Sequence, residues 1–251
     1  MPTNVHLLAA WSLAVTVAGP ALAVPQAAPP AGRADEPAAK AAPRPEPPPV
    51  YRIHGRVELV EKGRPASDPA LDRSHAVVWF EPQRAEAPPA PVAATMATVR
   101  KQFDPQVLVV PVGSSVRFTN FDPILHNAFS VSGRNAFDLG LVGKGAGRSA
   151  TFREAGLVRV FCNVHRAMFG HVLVVPTAFY ARTDASGGFT LTGLPGGRGR
   201  LHFWHERGEP GERELAVPAA GELRLAIAIT QPRVPPHRNK FGRSYTGGSY
   251  E

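Results

Sequence analysis

Nowhere in this chain of 251 residues do apolar side chains recur at the three-and-four spacing of an amphipathic helix. Short runs that alternate apolar and polar residues recur instead. In Tyr51-Arg-Ile53-His-Gly-Arg-Val57-Glu-Leu59 the odd positions are apolar and most even ones polar. Ser74–Phe80, Gln106–Val112, Ser115–Phe118, Leu157–Phe161, His171–Val175, Phe189–Leu191, Arg200–Trp204 and Glu222–Ile229 read in the same way. Gly and Pro punctuate the gaps. Many short strands at close spacing predict an all-β chain of packed β-sandwiches.

The ends read differently. Leu7 to Ala18 is mostly apolar, Gly19-Pro20 breaks the run, and Ala21-Leu22-Ala23 is a small-x-small cleavage site. Residues 1–23 are therefore expected to be an export signal, although no Lys or Arg precedes the apolar run. The run is short for a bilayer span of about 20 residues, so no stable membrane insertion is expected after cleavage. The expected location is the periplasm. Residues 24–50 are rich in Pro and Ala and read as an extended linker, and 231–251 as a basic, disordered tail. About 180 residues remain, enough for one large or two small domains. The net charge of +8 suits an acidic partner or an anionic surface. Nucleic acid is not expected: an exported protein does not meet it, and aromatic and basic residues do not interleave along one face.

An exported protein usually pairs its cysteines. This one has a single cysteine, so Cys162 bridges to another chain, fills a core, acts as a nucleophile or binds a metal. A free exposed thiol would be open to oxidation, and binding a metal as thiolate removes that hazard. The surrounding residues favour the metal. Cys162-x2-His165-x2-Met168 places three donors on one short loop between two strand-like runs, and His126 sits at another strand-to-loop junction. Two imidazoles, a thiolate and a thioether are the donors of a blue-copper electron-transfer site. Zinc accepts a Cys/His₂ set, but Met is a poor ligand for it. A Cys–His hydrolase needs an orienting Asn or Asp and an oxyanion hole, and the sequence displays neither. His171 is expected to face away from the loop. His202 and His205, three apart in a strand, are expected on opposite faces. His54 and His75 carry no signal.

The segment resembles the cupredoxins, and its ligand loop has the spacing of the amicyanins. The resemblance is carried by Phe103-Asp-Pro105, Val112-Gly113, Val116-x-Phe118-x-Asn120-x-Asp122-x3-His126-Asn127, Phe152, Ala155-Gly156 and Phe161-Cys162, in that order. More closely, residues 50 to 210 resemble the plastocyanin-like methylamine utilization proteins, whose loop also reads Cys-Asn-x-His-x-x-Met. The resemblance implies a cupredoxin Greek-key β-sandwich holding one type 1 copper ion. His126, Cys162 and His165 would be its trigonal ligands and Met168 its long axial one. It also implies that the side chain of Asn127 ties the two ligand-bearing loops together. Amicyanins carry Pro after the second His, where Arg166 stands here; a charge at that edge would alter the choice of partner.

A second resemblance lies downstream. Thr183-Asp184-Ala-Ser-Gly187-Gly188-Phe189 and Leu194-Pro195-x-Gly197 are similar to the carboxypeptidase regulatory-like, transthyretin-like Ig-type module. In that module the first motif closes a hairpin and the second opens the next strand. Its usual opening pieces correspond to Gly55-Arg-Val57 and Ala76–Phe80, upstream of the copper segment. The expected organisation is thus one sandwich from 51–92 and 176–230, interrupted by a cupredoxin domain at 93–175. The rival is two consecutive domains. The expected function is a non-enzymatic, exported carrier of single electrons between a donor and an acceptor redox protein. The alternatives are a copper carrier without redox turnover and a metal-free double-sandwich binding module.

Overall fold

The computed structural model describes residues 49–68 and 71–245. The expected export signal and almost all of the expected linker lie outside the described residues. Among the described residues, the regular structure is strand apart from two single-turn 3₁₀ helices, Arg73–His75 and Gly133–Asn135. The strands are β1 (Val50–Glu61), β2 (Arg64–Pro65), β3 (Val77–Pro82), β4 (Ala93–Val99), β5 (Gln102–Asp104) and β6 (Val107–Pro111). They continue with β7 (Ser115–Asn120), β8 (His126–Ser130), β9 (Phe137–Val142), β10 (Gly147–Thr151), β11 (Gly156–Phe161) and β12 (Phe169–Val175). The series ends with β13 (Tyr180–Arg182), β14 (Gly188–Pro195), β15 (Gly197–Trp204), β16 (Gly211–Val217) and β17 (Leu223–Ala228). No helix among the described residues is long and apolar enough to cross a membrane.

Pairing sorts these strands into two groups. The order β14-β1-β17, with β2 on β1, makes one sheet, and β13-β3-β15-β16 makes a second. Their facing side chains share one core, drawn from Ile53, Val57, Phe80, Leu191, Leu201, Leu225 and Ile227 among others. The chain between β3 and β13 forms the other pair of sheets, β10-β7-β4-β5 and β6-β12-β11-β8-β9. Met96, Phe118, Val158, Val160, Val172 and Val174 fill the core between them, and that core also contains Cys162 and Met168. Strands that precede Ala93 therefore pair with strands that follow Val175, around a self-paired segment.

Alternation explains most of the pattern. In β17, Leu223, Leu225 and Ile227 point inward while Arg224, Ala226 and Ala228 point out. β12 departs from this and is buried at all seven positions. Its Val172 and Val174 face the core beside the ligand loop. Its Leu173 and Val175 face Val77 and Trp204 of the other sandwich. A sheet covered on both faces loses the polar half of its pattern.

One expectation needs correction. The Thr183–Gly188 turn does not close a hairpin. β13 pairs with β3 and β14 with β1, so the turn carries the chain from one sheet to the other. Asp184 holds it: its carboxylate accepts from the N–H groups of Ser186 (2.8 Å) and Gly188 (2.9 Å). Of the expected tail, residues 231–245 are described. Its residues find specific partners, with His237 stacked on Phe161 and the Lys240 ammonium on the Asp138 carboxylate. Composition predicts how much a segment can bury and misses a few well-placed contacts.

Candidate metal centre

β11 and β12 pair antiparallel up to Phe161 opposite Phe169, so residues 162–168 form the loop of a hairpin. Two backbone bonds close it. The Cys162 N–H donates to the Met168 carbonyl and the Met168 N–H to the His165 carbonyl, each at 3.1 Å. Cys162 is thereby drawn into the core, wholly buried, and so is Met168 at the other end of the loop. Asn163 and His165 are partly exposed, and Val164, Arg166 and Ala167 are exposed. His126 arrives separately, as the first residue of β8, and is 2% exposed.

His126, Cys162 and His165 converge. Their donor atoms all lie within 4.8 Å of one another. The Cys162 Sγ is 3.8 Å from the Nδ1 of His126 and 3.8 Å from the Nδ1 of His165. The two imidazole centroids are 4.7 Å apart and tilted by 40°. Metal–nitrogen and metal–sulfur bonds of about 2.0 and 2.3 Å, opened to a trigonal angle, would put sulfur and nitrogen about 3.7 Å apart. Both sulfur-to-nitrogen separations would suit an ion held by these three residues. Met168 follows on the same loop. No other such cluster of His, Cys, Asp and Glu occurs among the described residues.

Burial pulls the His126 imidazole below the ordinary histidine range, although Asp122 beside it acts the other way. Burial and the neighbouring His126 do the same to His165. Both are therefore neutral near pH 7, as ligands must be. The Nε2–H of His126 donates to Asp122 Oδ2 at 3.0 Å. That bond selects the tautomer that turns the Nδ1 lone pair toward Cys162. Burial alone would raise the Asp122 carboxyl. The N–H groups of Lys101 and Arg100, at 2.8 and 2.7 Å, and the adjacent His126 outweigh it and hold the group below the usual carboxylate range.

Asp122 is thus an orienting carboxylate, a residue that the resemblance marks in the sequence without giving it a role. The available signal is an acid four residues before a ligand His. Cys162, His126 and Asp122 together resemble a hydrolytic triad. Against that reading, the thiol is fully buried and equidistant from two imidazoles.

Asn127 departs from expectation. Its side-chain amide donates to Asp138 Oδ1 (2.8 Å) and to the Gly140 carbonyl (2.9 Å), which ties β8 to β9 and not to the Cys162 loop. Its own Oδ1 is buried without a partner. His171 faces the seam between the sandwiches, edge-on to Trp204 at 5.5 Å. His202 stacks on Trp79 (4.9 Å, 10°), and His205 is fully buried with Nε2 3.0 Å from the Asp72 carbonyl.

No protein-family model matches the chain, and no curated protein matches it. Solved cupredoxins do show similarity, over about a third of it. A novel purple cupredoxin from Nitrosopumilus maritimus is 24% identical, with 33% of this chain and 99% of that one covered and a TM-score of 0.30. An amicyanin point mutant in its oxidised state is 29% identical, with 33% and 82% covered and a TM-score of 0.32. A reduced amicyanin mutant is 25% identical over 39% and 99%, with a TM-score of 0.31.

Proposed function

We propose that this chain is an exported, periplasmic carrier of single electrons, in which His126, Cys162, His165 and Met168 would hold one type 1 copper ion. The observation that carries the reading is the pair of equal 3.8 Å separations from one thiol to two imidazoles. The donors match copper: thiolate and thioether favour Cu(I), and imidazole suits both oxidation states. Bound there, copper supplies a one-electron couple. The protein's part is to keep the donors in one geometry, so that little must rearrange when the charge changes. The closed hairpin loop and the Asp122–His126 bond do this.

His165 is the exposed edge of the site. Exposed apolar residues adjoin His165, His126 and Asp122 in the chain: Val164 (46%), Leu125 (53%) and Phe121 (61%). Lys101 and Arg166 are exposed beside them. An apolar spot with a basic rim suits transient docking of an acidic redox protein, donor or acceptor, with the charges steering the encounter. Burial of Cys162 and His126 favours electron carriage over copper delivery, because releasing the ion would require the loop to open. We read the chain as non-enzymatic, and the flanking sandwich, 51–92 with 176–230, as a scaffold interrupted by the copper domain.

The test is a Cu(II) titration followed by the visible spectrum and by reversible reduction. An intense thiolate-to-copper band, lost in Cys162→Ser and shifted in Met168→Gln, is expected. A folded protein that binds copper without the band, or yields Cu(I) to chelators faster than it is reoxidised, would overturn electron carriage.

A further inference from the structure

The segment Arg233–Tyr245 lies over the ligand end of β11 and β12, and it is built to stay there. The Asn239–Arg243 turn is closed by its own bonds. The Asn239 N–H donates to the Arg243 carbonyl (2.9 Å), and Asn239 Oδ1 accepts from the N–H groups of Phe241 and Arg243, each at 3.0 Å. Before the turn, the His237 imidazole stacks on Phe161, the residue preceding Cys162, at 4.1 Å and 7°. After it, the Tyr245 ring stands edge-on to His237 at 5.3 Å, and its hydroxyl donates to the Cys162 carbonyl at 3.0 Å.

Lys240 reaches one ligand-bearing segment directly and the other through Asp138. Its main-chain N–H donates to Asn163 Oδ1 at 3.0 Å, one residue beyond Cys162. Its ammonium pairs with Asp138 Oδ2 at 2.7 Å, and the other oxygen of that carboxylate accepts from Asn127, one residue beyond His126. The direct tie expected of Asn127 is absent, and this relay through Asp138 and Lys240 spans the same gap.

We propose that residues 233–245 are a strap that fixes the two ligand-bearing segments against each other, with Lys240 and Tyr245 as positioning residues for the metal centre. The proposal rests on the copper reading for its purpose and on the contacts above for its geometry. Without the strap, the Cys162 loop is held by its own two backbone bonds and by β12, and the spacing between Cys162 Sγ and His126 Nδ1 loosens. Opening of the loop would then expose a thiol that is otherwise buried.

The experiment uses the full-length chain with Tyr245→Phe, which removes only the hydroxyl, and Lys240→Met, which keeps the stem and removes the charge. Arg198→Met, an exposed change in the other sandwich, is the control. The first readout needs no copper: the rate at which an aromatic disulfide reagent modifies Cys162 in the metal-free protein. The second is the reduction potential of the copper-loaded form. Losing one net hydrogen bond from the closed loop should raise the modification rate about fivefold in Tyr245→Phe. Both strap variants should shift the potential and lower the melting temperature by no more than about 4 °C, the share of one hydrogen bond, while Arg198→Met changes neither readout. Native rates and potentials in both variants would overturn the proposal. So would a faster reaction that Arg198→Met reproduces, since the effect would then not come from the strap. If the native protein gives no copper band, the copper reading fails while the thiol rates still report on the strap.

Discussion

Replacing Asp122 by Asn tests the electrostatic design of the centre most directly. The carboxylate is 11% exposed and receives the His126 Nε2–H at 3.0 Å. A hydrogen bond to a charged group is worth about 1.5–3 kcal/mol net, and so little exposure leaves it only lightly screened. Loss of an outer partner of a metal-bound imidazole weakens metal binding by about 10- to 100-fold, or about 1.4–2.7 kcal/mol, so the two routes agree. The effect should be larger for Cu(II) than for Cu(I), because a carboxylate makes imidazole more basic and the more highly charged ion gains more. Each tenfold difference raises the potential by about 59 mV for a one-electron couple. The carboxylate also accepts from Arg100 and Lys101 and so stitches the β4–β5 turn. The melting temperature of the metal-free variant separates that loss from the effect on the metal. The assay is competition with chelators for each oxidation state, alongside voltammetry. A variant that folds normally and retains both native affinity and native potential would refute the claim that Asp122 orients His126.

Two other changes probe the scaffold. Burial holds His171 down at about 4, with Glu206 acting in the opposite sense and Arg159, His75 and His205 reinforcing it. An unfolded histidine titrates near 6.5, so between those values the unfolded chain binds more protons. Stability is then complete above about pH 6.5 and falls on the order of 3 kcal/mol as pH drops toward 4. Urea denaturation across that range should show the slope, and His171→Phe should flatten it; an unchanged slope would place the proton elsewhere. Gly187 has φ +84°, and a Cβ there would strike the Val57 carbonyl. Gly187→Ala should cost about 2–3 kcal/mol, from left-handed backbone and a weakened Val57 N–H bond to the Gly187 carbonyl. The copper band should be untouched, because the turn belongs to the other sandwich.

The difference between what sequence disclosed and what it hid is physical. The all-β class was legible because alternation is local, and β17 shows it in six consecutive residues. The convergence of Cys162 and His165 was legible because a hairpin closed at Phe161 and Phe169 leaves two residues of its short loop few places to point. The role of Asp122 was hidden because a carboxylate four residues from a histidine is unremarkable until both are buried and the chain folds back. The direction of the Thr183–Gly188 turn was hidden for a related reason. A turn motif fixes the local path of the chain, while the partners of β13 and β14 are set by β3 and β1, more than a hundred residues earlier.

The strap is the clearest instance of the limit. Pro-rich, basic composition argues against a buried core, and residues 231–245 build none. Their role depends on the Lys240 N–H and ammonium, the Tyr245 hydroxyl and one stacked imidazole, each matched to a group more than seventy residues away. Such long-range contacts leave no periodicity. They are also what the proposed electron-carrying site would require. A donor set contributed by two segments is only as rigid as the connection between them, and here that connection runs through the far end of the chain.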